Sequence, residues 1–147
     1  MLTLIAAALA TVSPISVQER AAVMVPIDAA FAAFEQGNGA LLLPHVYPDG
    51  QVSAVGTLPS GFSGVRQSSF GEFARNMSPQ RPFTERIRDP LISIDGDIAL
   101  VWAPFTVAIG GKVASCGFDH FDMVRESGHW KIMNITFSSR TTGCPGQ

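Results

Sequence analysis

The chain has 147 residues, of which 46% are hydrophobic and 15% charged, and its formal net charge at pH 7 is −2. This length accommodates one domain with a proper core, and the apolar composition excludes a disordered chain. A basic stripe, the electrostatic footprint of nucleic-acid binding, is missing, so we expect no nucleic-acid partner.

Residues 1–12 form an apolar run that is too short to span a bilayer. The run has the length of a signal-peptide core, and Ala8-Leu9-Ala10 offers a small-residue cleavage pattern, although no Lys or Arg precedes it. We therefore assign residues 1–23 to a signal peptide and a mature N-terminal tail, and residues 24–147 to a single domain. We expect export to the periplasm or medium; the alternative is a cytoplasmic protein that begins with a helix or a disordered segment.

The first predicted helix runs from Val25 to Gly37, because Pro26 suits a first turn and Gly37 suits a helix end. A second short helix is predicted over Ala40–Leu43, and a first strand over Gln51–Val55. The glycine-containing segment Gly56–Gly64 is predicted to be a flexible loop. A third helix then begins at a serine cap, Ser68 or Ser69.

Residues 81–140 read as four long strands joined by three tight turns. Asp95-Gly96 and Gly110-Gly111 are two-residue connectors of the type I′ hairpin kind, and Glu126-Ser127-Gly128 makes a third, longer turn. Helices followed by a meander predict an α+β domain. We expect a cone-shaped, curved antiparallel sheet with the N-terminal helices packed on its concave face.

The predicted turns also set a register between the strands. They place Trp102 opposite Asp119 and Glu85 opposite Thr106. One face, which we assign to the concave side, collects Phe83, Glu85, Ile87, Asp89, Trp102, Thr106, Asp119, Phe121, Met123, Met133, Ile135 and Phe137. A bulge at Pro90 or Pro104 would shift this register by one residue and exchange the faces.

Asp119 and Glu85 are the candidate catalytic residues, because a carboxyl group in an apolar setting has a raised pKa that suits acid–base chemistry. The alternative is a structural role, in which they hydrogen-bond loop amides or an arginine. Trp102, Phe121 and Met133 are the candidate pocket lining.

His45 and Tyr47, before the first strand, are candidates to donate hydrogen bonds to a ligand, or else are ordinary loop residues. No Cys/His spacing suggests zinc, and we expect neither a metal nor a cofactor.

The opposite face of the predicted sheet is also rich in apolar side chains: Val101, Phe105, Phe118, Trp130 and Ile132. An exposed patch of this size favours a homodimer formed through the sheet face. His120, Asp122 and Asn134 would be neighbours there, a pattern that permits proton transfer but that we assign to the dimer surface.

Cys116 and Cys144 are enough for one disulfide bond. In an exported protein the C-terminal tail could fold back and join Cys144 to Cys116 in the sheet, whereas in the cytoplasm both would be free thiols.

Several blocks of the sequence resemble a bacterial, SnoaL-like or lumazine-binding branch of the nuclear transport factor 2-like superfamily. The blocks are Glu85-Arg86, the stretch 95–105, Gly111-Lys112, the stretch 116–121, the stretch 128–132 and the ending Thr142-Gly-Cys144. The resemblance covers Val25 to Cys144 and implies a cone-shaped α+β fold. Relatives include ketosteroid isomerases, dehydratases, epoxide hydrolases, polyketide cyclases and binding modules, so the fold alone does not decide the activity.

Two functions are therefore expected. The first is a small-molecule-binding protein whose apolar cone pocket takes a small hydrophobic or aromatic ligand. The alternative is a cofactor-independent lyase, isomerase or hydrolase that uses Asp119 as general acid or base, with Glu85 or Tyr47 as its partner. Tyr47 is the single tyrosine of the chain, so the second pocket tyrosine of an isomerase oxyanion hole is missing.

Overall fold

The computed structural model describes residues 14–147, so the predicted signal-peptide run and its cleavage pattern lie outside the described residues. The helices are α1 (Val17–Gln36), α2 (Gly39–Leu42) and α3 (Phe70–Asn76), with a 3-10 turn at Leu43–His45. The strands are β1 (Gln51–Thr57), β2 (Ser63–Ser69), β3 (Thr84–Ile87), β4 (Leu91–Asp95), β5 (Ile98–Ile109), β6 (Lys112–Glu126) and β7 (His129–Ser139). Within residues 14–147, no helix is long and apolar enough to cross a membrane.

Helix α1 is eight residues longer at its N-terminal end than the sequence predicts. It begins after Ser16, which forms a capping box with Glu19, so Pro26 lies inside the helix and not in its first turn. The helix ends at Gly37 as predicted, with a left-handed φ of 59°. Its buried side chains, Val23, Ile27, Ala30, Phe31 and Phe34 among them, pack on the sheet and form the core.

The sheet is curved and mixed, with the strand order β2-β1-β7-β6-β5-β3 and with β4 also paired to β5. The meander β5-β6-β7 is antiparallel as predicted, but β1 pairs with β7 in parallel. Strand β2 occupies part of the segment that we predicted as a loop and a helix cap. Its sequence, Ser63–Ser69, is polar and mostly exposed, so no apolar alternation indicated a strand.

The three predicted hairpin turns are present, two of them with altered geometry. The Gly110-Gly111 turn pairs Ile109 with Lys112 as predicted. The first turn lies one residue later, because Asp95 pairs with Ile98, and the third has two residues instead of three. The expected single strand before the first turn is divided into β3 and β4 at Asp89, which has a φ of 43°.

A bulge between β5 and β6 overturns the predicted pairing of Trp102 with Asp119. Val107 pairs with Ser115 but Ala108 pairs with Val113, so one residue of β6 is left without a partner. Trp102 therefore lies opposite His120, and Asp119 lies opposite Ala103.

The bulge changes which residues face the helices. Asp119 is buried on the concave side, as predicted, but Trp102 is 46% exposed on the convex side and stacks on Phe118 with ring centroids 5.2 Å apart. The predicted outer patch is wrong for four of its five members, because Val101, Phe105, Trp130 and Ile132 are buried. Trp130 and Ile132 face inward because the turn after Glu126 has two residues instead of three, which pairs Trp130 with Arg125 and Ile132 with Met123.

The C-terminal segment is joined to the sheet by a disulfide bond between Cys116 and Cys144, whose Cα atoms are 5.6 Å apart. Cys116 also forms backbone hydrogen bonds with Arg140, which brings the segment against β6. Of the two alternatives that the sequence leaves open for these cysteines, the structure has the disulfide bond.

Candidate functional site

A cavity of about 270 Å³ lies between the helices and the concave face of the sheet. Seven phenylalanines supply most of its wall: Phe34, Phe70, Phe73, Phe83, Phe105, Phe121 and Phe137. Polar side chains come from Glu85, Ser60 and Ser115. The cavity is therefore mostly apolar, and its wall includes one ionisable side chain. This is the usual composition of a small-molecule site.

Glu85 is the ionisable group of this wall. It lies on β3 opposite Val107, and both residues line the same cavity. The Glu85 side chain therefore points to the concave side, as opposite residues of an antiparallel pair share a face. Only 8% of the residue is exposed. Burial removes water from the carboxylate and raises the pKa of Glu85 from 4.5 to about 7, while a hydrogen bond from Asp119 acts in the opposite direction.

Asp119 is the second buried carboxyl group. It lies on β6, is 1% exposed, and does not belong to the cavity wall. Burial raises the pKa of Asp119 well above its usual value, and the negative charge of Glu85 raises it further.

The two carboxyl groups can satisfy each other only by sharing a proton. Among the described residues, neither side-chain oxygen of Asp119 has a hydrogen-bond partner while both groups are ionised, because a carboxylate can only accept. A proton on Asp119 creates a donor toward Glu85, which is the interaction that lowers the pKa of Glu85. Burial and the charge of Glu85 both favour the protonated form of Asp119, and Glu85 is the member of the pair that lines the cavity wall.

The structure brings together only part of the site that the sequence predicts. Phe121 and Glu85 line the cavity, and Asp119 lies against Glu85. Trp102 lies on the convex face, so its assignment to the pocket is wrong. Met133 is half-buried at the β6–β7 bulge and outside the cavity wall.

The two polar candidates before β1 also lie away from the cavity. His45 lines a separate depression of about 520 Å³ together with Trp130 and Lys131. The Tyr47 ring lies beneath the Lys131 Nζ atom, 5.5 Å from it, and the Tyr47 backbone N–H donates to the Ile132 carbonyl. Neither residue is positioned beside the carboxyl pair, so Tyr47 is not the partner of Asp119.

Phe105, Val107 and Ser115 also line the cavity, and the sequence does not predict them as wall residues. One signal was available: the chain has ten phenylalanines but a single tyrosine, which favours an aromatic pocket without hydroxyl groups. Within residues 14–147, no group of three or more His, Cys, Asp or Glu side chains is arranged to hold a metal ion.

Comparison with known proteins gives a clear result only for structure. No protein-family model matches the sequence, and no curated protein matches it either. Among solved structures, a cystatin-like-fold protein of unknown function from Nostoc punctiforme has a TM-score of 0.69 at 13% identity, covering 90% of this chain and 98% of that one. An NTF2-like protein of unknown function from Shewanella baltica has a TM-score of 0.64 at 14% identity, covering 87% and 98%.

The chain has the NTF2-like fold. A proposed dehydratase of the NTF2-like family from Streptomyces avermitilis has a TM-score of 0.63 at 21% identity, covering 84% of this chain and 96% of that one. Identities this low show the NTF2-like fold and not an activity. The finer resemblance to a SnoaL-like or lumazine-binding branch stays a prediction.

Proposed function

We propose that this protein binds a small hydrophobic or aromatic molecule in its cone cavity. The observation that carries the proposal is the cavity of about 270 Å³ with seven phenylalanines in its wall. Aromatic walls contribute large apolar contact areas and offset or edge-on ring contacts with a flat ligand. Glu85 and Ser115 supply the few polar groups that orient a ligand in such a site.

A second candidate function is acid–base catalysis by a cofactor-independent lyase, isomerase or hydrolase. Burial raises the pKa of Glu85 to about 7, near the pH at which proton transfer to or from a substrate is most efficient. The geometry favours roles opposite to those expected from the sequence: Glu85, at the wall, exchanges the proton with the ligand, and protonated Asp119 positions Glu85 and donates to its carboxylate. The NTF2-like dehydratase among the structural neighbours is consistent with chemistry of this kind.

Binding is tested with a neutral apolar dye, N-phenyl-1-naphthylamine, whose fluorescence rises in an apolar cavity. We expect the wild-type protein to bind the dye and Ser115→Leu, which fills part of the cavity, to bind it at least tenfold more weakly. Ser93→Leu is the matched control because Ser93 lies on the exposed face of β4. Equal dye binding by both variants would contradict the proposal.

The catalytic candidate is tested on ligands that co-purify with the protein and are detected by native mass spectrometry. Glu85→Gln should retain binding and lose turnover of such a ligand, because glutamine keeps the shape of the side chain but cannot exchange the proton. Retained turnover in this variant would exclude Glu85 as the acid or base.

We also propose that the protein is exported. The disulfide bond between Cys116 and Cys144 supports this proposal, because such bonds persist in oxidising compartments and are rare in the cytoplasm. Fractionation of cells that express the full chain, with the N-terminal sequence of the product, tests it. A full-length product in the cytoplasm with two free thiols would refute export.

A homodimer through the convex face of the sheet is a further proposal. This face carries the exposed apolar side chains Trp102, Phe118, Leu91 and Leu100 on neighbouring strands. The patch differs from the predicted one in all members except Phe118, but the physical reason is unchanged: a second copy of the same face can bury it about a twofold axis.

A further inference from the structure

A second cavity, of about 290 Å³, adjoins the phenylalanine cavity and has a different character. The two cavities share six wall residues, among them Phe34, Phe73 and Phe137, so they are adjacent parts of one space beneath the helices. Five of the other eight wall residues of the second cavity are polar, and two of these five are arginines, Arg66 and Arg81.

Arg66 is placed at this cavity by the pairing of the two edge strands. It lies on β2 opposite Ala54, whose buried side chain belongs to the same cavity wall. Opposite residues in an antiparallel pair point to the same face, so the Arg66 side chain is directed to the concave side. Within residues 14–147 it has neither an ion pair nor a side-chain hydrogen bond.

Arg81 approaches the same cavity from the loop after α3. One guanidinium nitrogen, Nη2, donates to the Asn76 carbonyl at 3.4 Å, and the Arg81 backbone N–H donates to the Ser78 carbonyl at 2.9 Å. These bonds hold the loop, and among residues 14–147 the other guanidinium donors of Arg81 have no hydrogen-bond partner. Gly37 keeps this loop close to α1, because a side chain at position 37 would collide with the Ser78 carbonyl.

The acidic and basic groups are separated between the two cavities. Glu85 is the acidic residue of the phenylalanine cavity, and the wall of the arginine cavity contains no Asp or Glu among the described residues. Two guanidinium groups without acidic partners create a site that favours an anionic oxygen group, because planar guanidinium donors match carboxylate and phosphate oxygens.

We infer that the ligand is an amphipathic acid, whose apolar body occupies the phenylalanine cavity and whose anionic oxygen group binds Arg66 and Arg81. This inference rests on the proposed binding function and adds the substrate class to it. It also gives a direction to the bound molecule: the anionic end lies at the arginines and the apolar end reaches toward Glu85, where an anionic group would be repelled.

The inference is tested with decanoate, decanol and decyl phosphate as competitors of N-phenyl-1-naphthylamine. We expect the wild-type protein to bind decanoate at least tenfold more tightly than decanol, and we expect this preference to shrink in 0.5 M salt, because the arginines are exposed. Arg66→Gln and Arg81→Gln should each remove most of the preference, measured as the ratio of decanoate affinity to decanol affinity within the same variant. Decyl phosphate distinguishes a carboxylate site, where decanoate binds more tightly, from a phosphate site, where the order is reversed.

Arg88→Gln is the matched control, because Arg88 is exposed on the β3–β4 connection and lines neither cavity. Equal binding of decanoate and decanol by a wild-type protein that binds the dye would overturn the inference and leave the proposed function standing. An equal loss of preference in Arg88→Gln would overturn it too, since the effect would then come from net charge. Failure of the dye itself to bind would remove the proposed function and the inference with it.

Discussion

Replacing Glu85 with glutamine should have a more favourable effect on the free energy of unfolding at pH 8 than at pH 4. Burial raises the pKa of Glu85 from 4.5 to about 7 in the folded protein. The folded state therefore holds this proton more tightly than the unfolded state, and the wild-type protein loses stability as the pH rises from about 4.5 to about 7. A shift of this size corresponds to a loss on the order of 3 kcal/mol in the free energy of unfolding.

Glutamine has no proton to lose in this range, so the variant should not show the loss. We subtract the free energy of unfolding of the wild type from that of Glu85→Gln at each pH. This difference should rise in favour of the variant by about 3 kcal/mol between pH 4 and pH 8. Comparing the two pH values cancels any constant effect of the substitution on packing. Urea unfolding of both proteins at pH 4, 6 and 8, followed by tryptophan fluorescence, measures this change.

Glu126→Gln is the control for this experiment. Glu126 is an exposed glutamate at the end of β6, 3.7 Å from the Lys131 ammonium group, and such exposed pairs contribute less than about 1 kcal/mol. Its substitution should give nearly the same difference at every pH. If Glu85→Gln behaves like this control, the carboxyl group of Glu85 is not desolvated, and the acid–base role argued for it fails.

Three further substitutions test other features of the structure. Cys144→Ser should lower the free energy of unfolding by about 3.5 kcal/mol in urea titrations, because the disulfide closes a long loop, with no difference from wild type under reducing conditions. Gly117→Ala should lower it by about 1–3 kcal/mol in thermal unfolding, because a methyl group there collides with the Ser138 carbonyl; an unchanged melting temperature would argue against this contact. Phe118→Asp should convert the proposed dimer to a monomer in sedimentation, whereas Val65→Asp, at an exposed apolar site on β2, should not.

The sequence was sufficient to predict the class of fold because its strongest signals are local. Gly110 and Gly111 adopt positive φ angles in a hairpin turn, and Gly37 ends α1, as their conformational freedom indicates. Ser69 caps α3 as one of the two predicted serines. Each of these predictions depends on a few neighbouring residues and on no contact made far along the chain.

The bounds of two elements were predicted wrongly, in one case because the strand is polar and in the other because two helix-start signals compete. Strand β2 has no apolar face, so its pairing with β1 is visible only in the structure. In α1, Pro26 suggests a helix that starts near residue 25, while the helix begins at the capping box of Ser16 and Glu19. A capping box satisfies backbone donors that a proline leaves untouched, so it was the better signal of the two.

The candidate site was only partly predictable, because bulges do not follow from turn residues. The unpaired residue of β6 near Val113 and Ser115 exchanges the faces of β5 relative to β6, which carries Trp102 outward and brings Phe105 into the cavity wall. Glu85 nevertheless reached its predicted face, because its pairing with β5 is also shifted by one residue, from Thr106 to Val107. The one-residue register error between β3 and β5 thus cancelled the one-residue register error between β5 and β6.

The face of Asp119 follows from the sequence for a different reason, because it depends on one strand alone. In β6, Asp119, Phe121 and Met123 alternate along one strand, and all three are buried on the concave side. Alternation within a strand depends only on that strand, so a bulge elsewhere cannot change it. Trp102 was linked to this face through a cross-strand register, which one inserted residue is enough to reverse. The carboxyl group of the site could therefore be predicted from its own strand, whereas the aromatic side chains that surround it required the structure.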